Sequence, residues 1–479
     1  MKYSRKIKLF SIAMACVLVS TTSCKKYLDI NTSPVTATSV DPKLLFGYSV
    51  AAWSSYRNAG DIYFPLVFAH QSIADGNTFG WDAGDVYDLS PTSMNNVWRM
   101  YYNISGNNLQ LAIAQAKANG SANTEAQCKV ILANLVYEAT TLFGDIPFSE
   151  AWNSNISYPK FDAQEDVLKG ALAIVDDALT LFDETSASKI SDYDVFYAGN
   201  IAKWKKLANS IKLKILFTMV DKDPSRAAAI GTLVSNPANL IASAAENMEF
   251  KYKTTTNNEN PKQRLIARYT AGENQWFFAH KNIVDYMKPV SDPRLPKYFD
   301  LADGETEYIG LDTRELANAK STLISAYLFR KDCPDVMCSY QEMLFYQAEA
   351  YARGLGVTAN LTTANTLYKK GIEEACKYYG VDATAAATFA TGLPALASVQ
   401  DIHIQQWVDF MDRPIEAFVQ YRRSGVEGSE TPNLTFPADV SVGTKLFRRF
   451  TYPSAAETNT NVNKPEVIPV YSDKMWFDL

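Results

Sequence analysis

SYQEMLFYQAEAYARGLGVTANLTTANTLYKKGIEEACKYYG occupies residues 339–380. Ser339 followed three positions later by Glu342 is the signature of a capping box, in which each side chain satisfies the other's free backbone N–H. The apolar spacing that follows is helical, a short connection runs through Gly356, and a second helical run stops at Gly380. The first helix carries small Ala348 and Ala352, with bulky residues beyond them. A helical pair of roughly 34 to 40 residues built this way fits a tetratricopeptide-type unit.

Similar start signals recur upstream. Asp41-Pro42 supplies an N-cap and a first-turn proline for a helix bearing Leu45, Tyr48, Ala52 and Tyr56. Ser90-Pro91 opens a longer helix through Val97, Trp98, Tyr101 and Tyr102, with a bend expected at Gly106 and an end at Gly120. Thr124-Glu-Ala-Gln127 reads as a capping box for the run ending at Gly144, Asp162-Ala-Gln-Glu165 as a second one, and Asn200 and Asp223-Pro224 as the starts of a further pair. The spacing between pairs is irregular. Residues 183–199, 254–275 and 300–330 lack a sustained period and read as long excursions, and the stretch after Gly425 reads as loop with little helix. Trp276-Phe277-Phe278 reads as the beginning of a helical segment. The expected fold is mostly α: tetratricopeptide-like helical pairs with long loop excursions and minor β, forming a single domain over residues 42–479.

Composition narrows the function. The chain of 479 residues is 47% hydrophobic and carries 46 basic against 52 acidic side chains, without a basic tail, so a counterion-release grip on nucleic acid has nothing to work with. Aromatic residues reach 12% against three histidines, which favours binding by flat aromatic faces over imidazole chemistry or metal ligation. His70, His280 and His403 lie far apart in sequence and read as structural hydrogen bonders.

The amino terminus reads as a lipoprotein signal. Lys2, Arg5, Lys6 and Lys8 precede an apolar stretch over residues 9–19, too short for the roughly 20 residues a membrane span needs. Small residues then lead into Cys24, which reads as the acylated first residue after removal of 1–23, with 24–41 as a tether. Processing leaves 42 basic against 52 acidic side chains, a balance of −10. Cys128, Cys333, Cys338 and Cys376 remain, and the spacing of Cys333 and Cys338 suits either a bridge or two free thiols.

Hydrolase, nucleotide-binding and zinc-protease motifs are absent, although a glycoside hydrolase needs only two carboxylates roughly 5 to 9.5 Å apart. The most suggestive excursion is residues 73–91, which mixes Asn77, Phe79, Trp81 and Tyr87 with several aspartates. Pyranose rings stack an apolar face on such aromatics while amides meet their hydroxyls, and Trp276 joins these as a candidate rim residue. Asp82, Asp85 and Asp88 recur every three residues, which is not the alternate-residue calcium loop, so neither metal nor cofactor is expected.

Several segments together resemble one family. Cys24-KKYLDINTSP, LFGDIPFSEA (142–151), KWKKLANSIKLKI (203–215), SDPRLPKYF (291–299), YQEMLFYQAEAYARG (340–354) and QYRRSG (420–425) are similar, in this order, to the SusD/RagB-like outer-membrane nutrient-binding lipoproteins. The resemblance implies a helical body anchored in the outer membrane through Cys24 and closing over a SusC-like TonB-dependent transporter. It implies capture of an oligosaccharide, or in some branches a peptide, with no bond broken. A helical protein–protein scaffold and a secreted glycoside hydrolase are the alternatives.

Overall fold

Caps and prolines set the helix starts. In the computed structural model, which describes residues 40–76, 89–269, 277–435, 446–466 and 470–479 except the side chains of 266–269 and 456–457, the chain divides into Met1–Asp41 and Pro42–Leu479. Every described element belongs to the second unit. Helix α1 (Pro42–Arg57) begins at the proline after Asp41, and α2 covers Tyr63–His70. The next helix, α3 (Ser93–Arg99), runs through a π-helical stretch, Met100–Gly106, into α4 (Asn107–Ala118), so the helical period changes at the position where a bend is expected. Then come α5 (Ala122–Phe143), α6 (Gln164–Leu181), α7 (Ile201–Met219) and α8 (Ala227–Val234). Shorter helices α9 (Pro261–Tyr269), α10 (Lys281–Met287) and α11 (Leu295–Tyr298) precede α12 (Tyr340–Arg353) and α13 (Leu361–Tyr378). The series ends with α14 (Ala383–Gly392), α15 (Val399–Asp409), α16 (Pro414–Arg423) and α17 (Ala456–Asn459).

Ser339 and Glu342 form the reciprocal capping box before α12, and the Asn200 side chain accepts from the Lys203 N–H at the start of α7. Two expected caps are corrected. The α5 helix starts at Ala122, which buries Thr124 inside the first turn. Asp162 instead accepts from the backbone N–H groups of Phe148 and Ser149 at 3.0 and 2.7 Å, because strand pairing brings that loop within reach of its carboxylate. The excursion 254–275 contains α9, and the region from 383 to 423 adds three helices whose apolar spacing is too broken to stand out.

Strands are few, as expected. They are β1 (Ile73–Asp75), β2 (Ile146–Pro147), β3 (Phe161–Asp162), β4 (Met248–Phe250), β5 (Phe277–Ala279), β6 (Phe299–Asp300), β7 (Leu323–Ile324) and β8 (Asp335–Cys338). Four join in the order β1-β5-β7-β6, and β2-β3 and β4-β8 are separate antiparallel pairs. The expected helix at Phe277-Phe278 is therefore a strand. Its side chains alternate, Phe277 entering the cluster around Phe64 and Trp407 while Phe278 meets Ala74 and Leu311 on the other face.

Consecutive helices pack on one another, notably α4 on α5, α5 on α6, α6 on α7, α12 on α13 and α13 on α14, and α12 also meets α7 and α8. Phe345 and Ala348 of α12 interlock with Ala364, Tyr368 and Ile372 of α13, the small-against-large packing of a tetratricopeptide-like pair. A Cβ on Gly231 of α8 would fall 2.1 Å from the Gly356 carbonyl oxygen, so two glycines let this helix touch the α12–α13 connection backbone to backbone.

All four described cysteines are free, buried thiols. The bridging alternative for Cys333 and Cys338 is not the one realised: the intervening chain is extended as β8, at about 3.3 Å per residue, beyond the roughly 7 Å limit between bridged Cα atoms. Burial pushes the Cys333 thiol up to about 11. All three histidines are buried: His70 and His280 are hydrogen bonders, lowered by burial to about 3 and about 4, while His403 lies 3.3 Å from Glu349 and 2.7 Å from Glu430. Among the described residues no helix is long and apolar enough to cross a membrane.

The helices converge on buried charge. Arg57, at the end of α1, reaches Glu138 of α5, and at 3.2 Å each Asp335 of β8 and Glu416 of α16. Lys214 of α7 lies 3.2 Å from Glu416 and 3.5 Å from Glu342 of α12, while Arg413 pairs with Glu342 at 2.5 Å and approaches Asp409 of α15 at 3.8 Å. None of these side chains is more than 7% exposed. Burial pushes Asp409 up to about 6, whereas at Glu416 burial is overridden by Arg57, Lys214 and Arg413, which hold it at about 2. Removing Arg57 takes the counter-charge from buried Glu138 and Asp335, while Glu416 keeps Lys214. Arg57→Ala is expected to lower unfolding stability by about 3–5 kcal/mol in denaturant titrations, and a loss below about 1 kcal/mol would contradict this role.

Candidate functional site

Residues Cys24, Asn77, Phe79, Trp81, Tyr87 and Trp276 all lie outside the described residues. Their flanking strands are neighbours: β1 pairs with β5 so that Asp75 stands opposite Phe277. A sizeable cavity lies elsewhere, an open cleft of about 660 Å³ along one side of α3 and the π-helical stretch. Its walls come from residues 95–107, 147–161 and 453–461.

Trp98, Tyr102 and Gly106 recur every fourth residue, which puts them in one stripe. The Trp98 and Tyr102 rings lie 4.6 Å apart, Tyr102 and Trp152 5.6 Å apart, and Phe161 stacks on Trp98 at 6.0 Å. These four aromatics are half-buried and form a continuous row along the cleft. Tyr102 is fixed at both ends. Its hydroxyl donates to the Pro147 carbonyl and its own carbonyl accepts from the Trp152 indole N–H, each at 2.8 Å.

Trp152 has a φ of 59°, in the left-handed region that a bulky residue enters only when its surroundings impose it. The indole lies against Gly106, where an added Cβ would sit 2.4 Å from Trp152 Cζ2 and 2.4 Å from the Tyr101 carbonyl oxygen. The π-helical period thus creates a flat, side-chain-free seat for the indole. Two amides are structural: Asn95 accepts from the Ala455 N–H at 2.9 Å, and Asn461 donates to the Pro159 carbonyl at 2.8 Å, tying the 453–461 segment across the cleft. Among the described residues, the exposed side chains of Asn103, Asn107 and Arg99 have no hydrogen-bond or ion-pair partner.

Among the described residues no Asp, Glu, His or Cys lines the cleft, and the residues that do line it offer stacking faces together with amide donors and acceptors. Sequence reading placed Trp98 and Tyr102 on a helix but missed the cleft, and Trp152 went unnoticed. The four-residue spacing of Trp98, Tyr102 and Gly106 was the available signal. Gly106→Ala separates the readings by sign. Alanine raises intrinsic helix propensity by about 1 kcal/mol, whereas overpacking costs about 1–3 kcal/mol. Thermal unfolding is expected to show net destabilisation together with a red-shifted tryptophan emission; a stabilised protein with unchanged emission would contradict the seat for Trp152.

With this geometry in place, comparison with known proteins gives the family. Residues 53–453 match the profile of a SusD-like family described as starch-binding and associating with the outer membrane, and the chain belongs to that family. Its fold is shared with a chitin-binding protein (22% identity, TM-score 0.78, covering 92% of this chain and 100% of that one). It is also shared with a SusD/RagB family protein from Bacteroides thetaiotaomicron (19%, TM-score 0.74, 92% and 99%) and a chitin-binding SusD homologue from Flavobacterium johnsoniae (19%, TM-score 0.72, 91% and 97%). Comparison with curated proteins returns no match.

Proposed function

We propose that the chain is a non-enzymatic surface lipoprotein, acylated at Cys24, that binds an oligosaccharide and hands it to a TonB-dependent outer-membrane transporter of the SusC kind. Family membership over residues 53–453 supports this, and so do the chitin-binding proteins that share the fold. The observation that carries the binding part is the row Phe161–Trp98–Tyr102–Trp152 beside unpartnered Asn103 and Asn107. Stacked aromatics accept the C–H face of a sugar and free amides meet its hydroxyls. Asn77, Phe79, Trp81, Tyr87 and Trp276 are proposed to add a second set of contacts.

Calorimetry of the mature chain against a panel of glycans and peptides tests the proposal. An oligosaccharide is expected to bind, and Trp152→Ala and Trp81→Ala are each expected to weaken it by about 1–3 kcal/mol, by analogy with aromatic hot spots. Binding of peptides alone would move the chain to a peptide-importing role, and turnover of a glycan lost with one Asp or Glu substitution would make it an enzyme.

A further inference from the structure

The chain is acidic overall, with a formal charge of −6, yet its cleft is not. Among the described residues, Arg99 is the one charged side chain that lines the cleft. A second cavity of about 230 Å³ adjoins it, sharing Pro453, and is lined by Arg449 and Lys464, again without a carboxylate among the described residues. The Tyr452 ring stands between the two, 6.1 Å from Trp98 and 5.3 Å from Phe161.

The cations are poorly neutralised. Arg99 has no ion pair or hydrogen bond among the described residues. Lys464 donates to the Asn459 side-chain oxygen, and Arg449 donates to the Phe143 carbonyl while its nearest carboxylate, on half-exposed Asp473, is 3.8 Å away. Three described acids beside the cleft's walls are engaged elsewhere. Asp61 accepts from Asn96 at 3.0 Å, Glu150 accepts from the Lys160 N–H at 2.9 Å, and Asp162 is held by Ser149 and Lys160.

We propose that the cleft and its neighbouring cavity take an anionic saccharide, one bearing carboxylate or sulfate groups, with Arg99 pairing with the acidic group while the aromatic row holds the sugar rings. This deepens the carbohydrate-binding reading and rests on it. A planar guanidinium with no intramolecular partner matches the two oxygens of a carboxylate or sulfate. Cations in joined cavities act together, because their fields overlap within a Debye length of about 8–10 Å at ordinary salt. A chain that is acidic elsewhere would repel such a ligand, so the local reversal of sign directs it to this side of the molecule.

The test uses matched pairs: tetragalacturonate with its methyl ester, and a sulfated galactotetraose with the unsulfated form. Each is titrated calorimetrically into the mature chain and into Arg99→Gln at about 50 and about 500 mM NaCl, so that screening of exposed charges can be read. At least one acidic member is expected to bind about 10-fold or more tighter than its neutral partner at low salt, a ratio that shrinks at high salt and collapses toward one in Arg99→Gln. The pair that shows the preference distinguishes carboxylate from sulfate. Equal binding of both members, or a preference that persists in Arg99→Gln, overturns the proposal and leaves the carbohydrate reading standing. If the acidic members fail while neutral glycans of the wider panel bind, the proposal alone falls; if no glycan binds, both fall.

Discussion

One guanidinium joins parts of the chain that are hundreds of residues apart. Arg57 draws together Glu138, Asp335 and Glu416, and through Glu416 the set extends to Lys214, Arg413, Glu342 and Asp409. A stack of helical pairs is close to one-dimensional, each pair feeling only its neighbours. The buried charges remove that independence. Their value is positional more than energetic, since a buried ion pair gains little over apolar packing but is very costly to break.

The same node reaches the surface cleft through one turn of helix. The Tyr101 hydroxyl and the Trp53 indole both donate to Glu138, at 2.5 and 2.8 Å. Tyr101 belongs to the π-helical stretch and is buried, and its neighbour Tyr102 faces the cleft. Anchoring Tyr101 from inside therefore fixes the rotation of the stretch that presents Trp98 and Tyr102 and seats Trp152 on Gly106. A ligand meeting this surface finds it already ordered, which lowers the cost of binding.

Features that depend on a few adjacent residues were legible in the sequence. The Ser339–Glu342 box, the Asn200 cap and the α12–α13 pair are local, and the family resemblance rested on six short segments. Features decided by distant partners were not. Asp162 looked like a cap but binds a loop brought in by β2, and Phe277-Phe278 looked helical but pairs with β1. The cleft is the extreme case, because its walls lie at 95–107, 147–161 and 453–461 and no window of sequence contains them together. The loop candidates at 77–87 and Trp276 came from composition, and they lie beyond the described residues.

The central claim is that a rigid row of aromatic rings, held from within by buried charge, is a landing surface for a saccharide. A crystal structure of the mature chain soaked or grown with a binding oligosaccharide tests it most directly. Sugar rings are expected against Trp152, Tyr102 and Trp98 with the π-helical stretch unmoved. A saccharide bound well away from an empty cleft would contradict it.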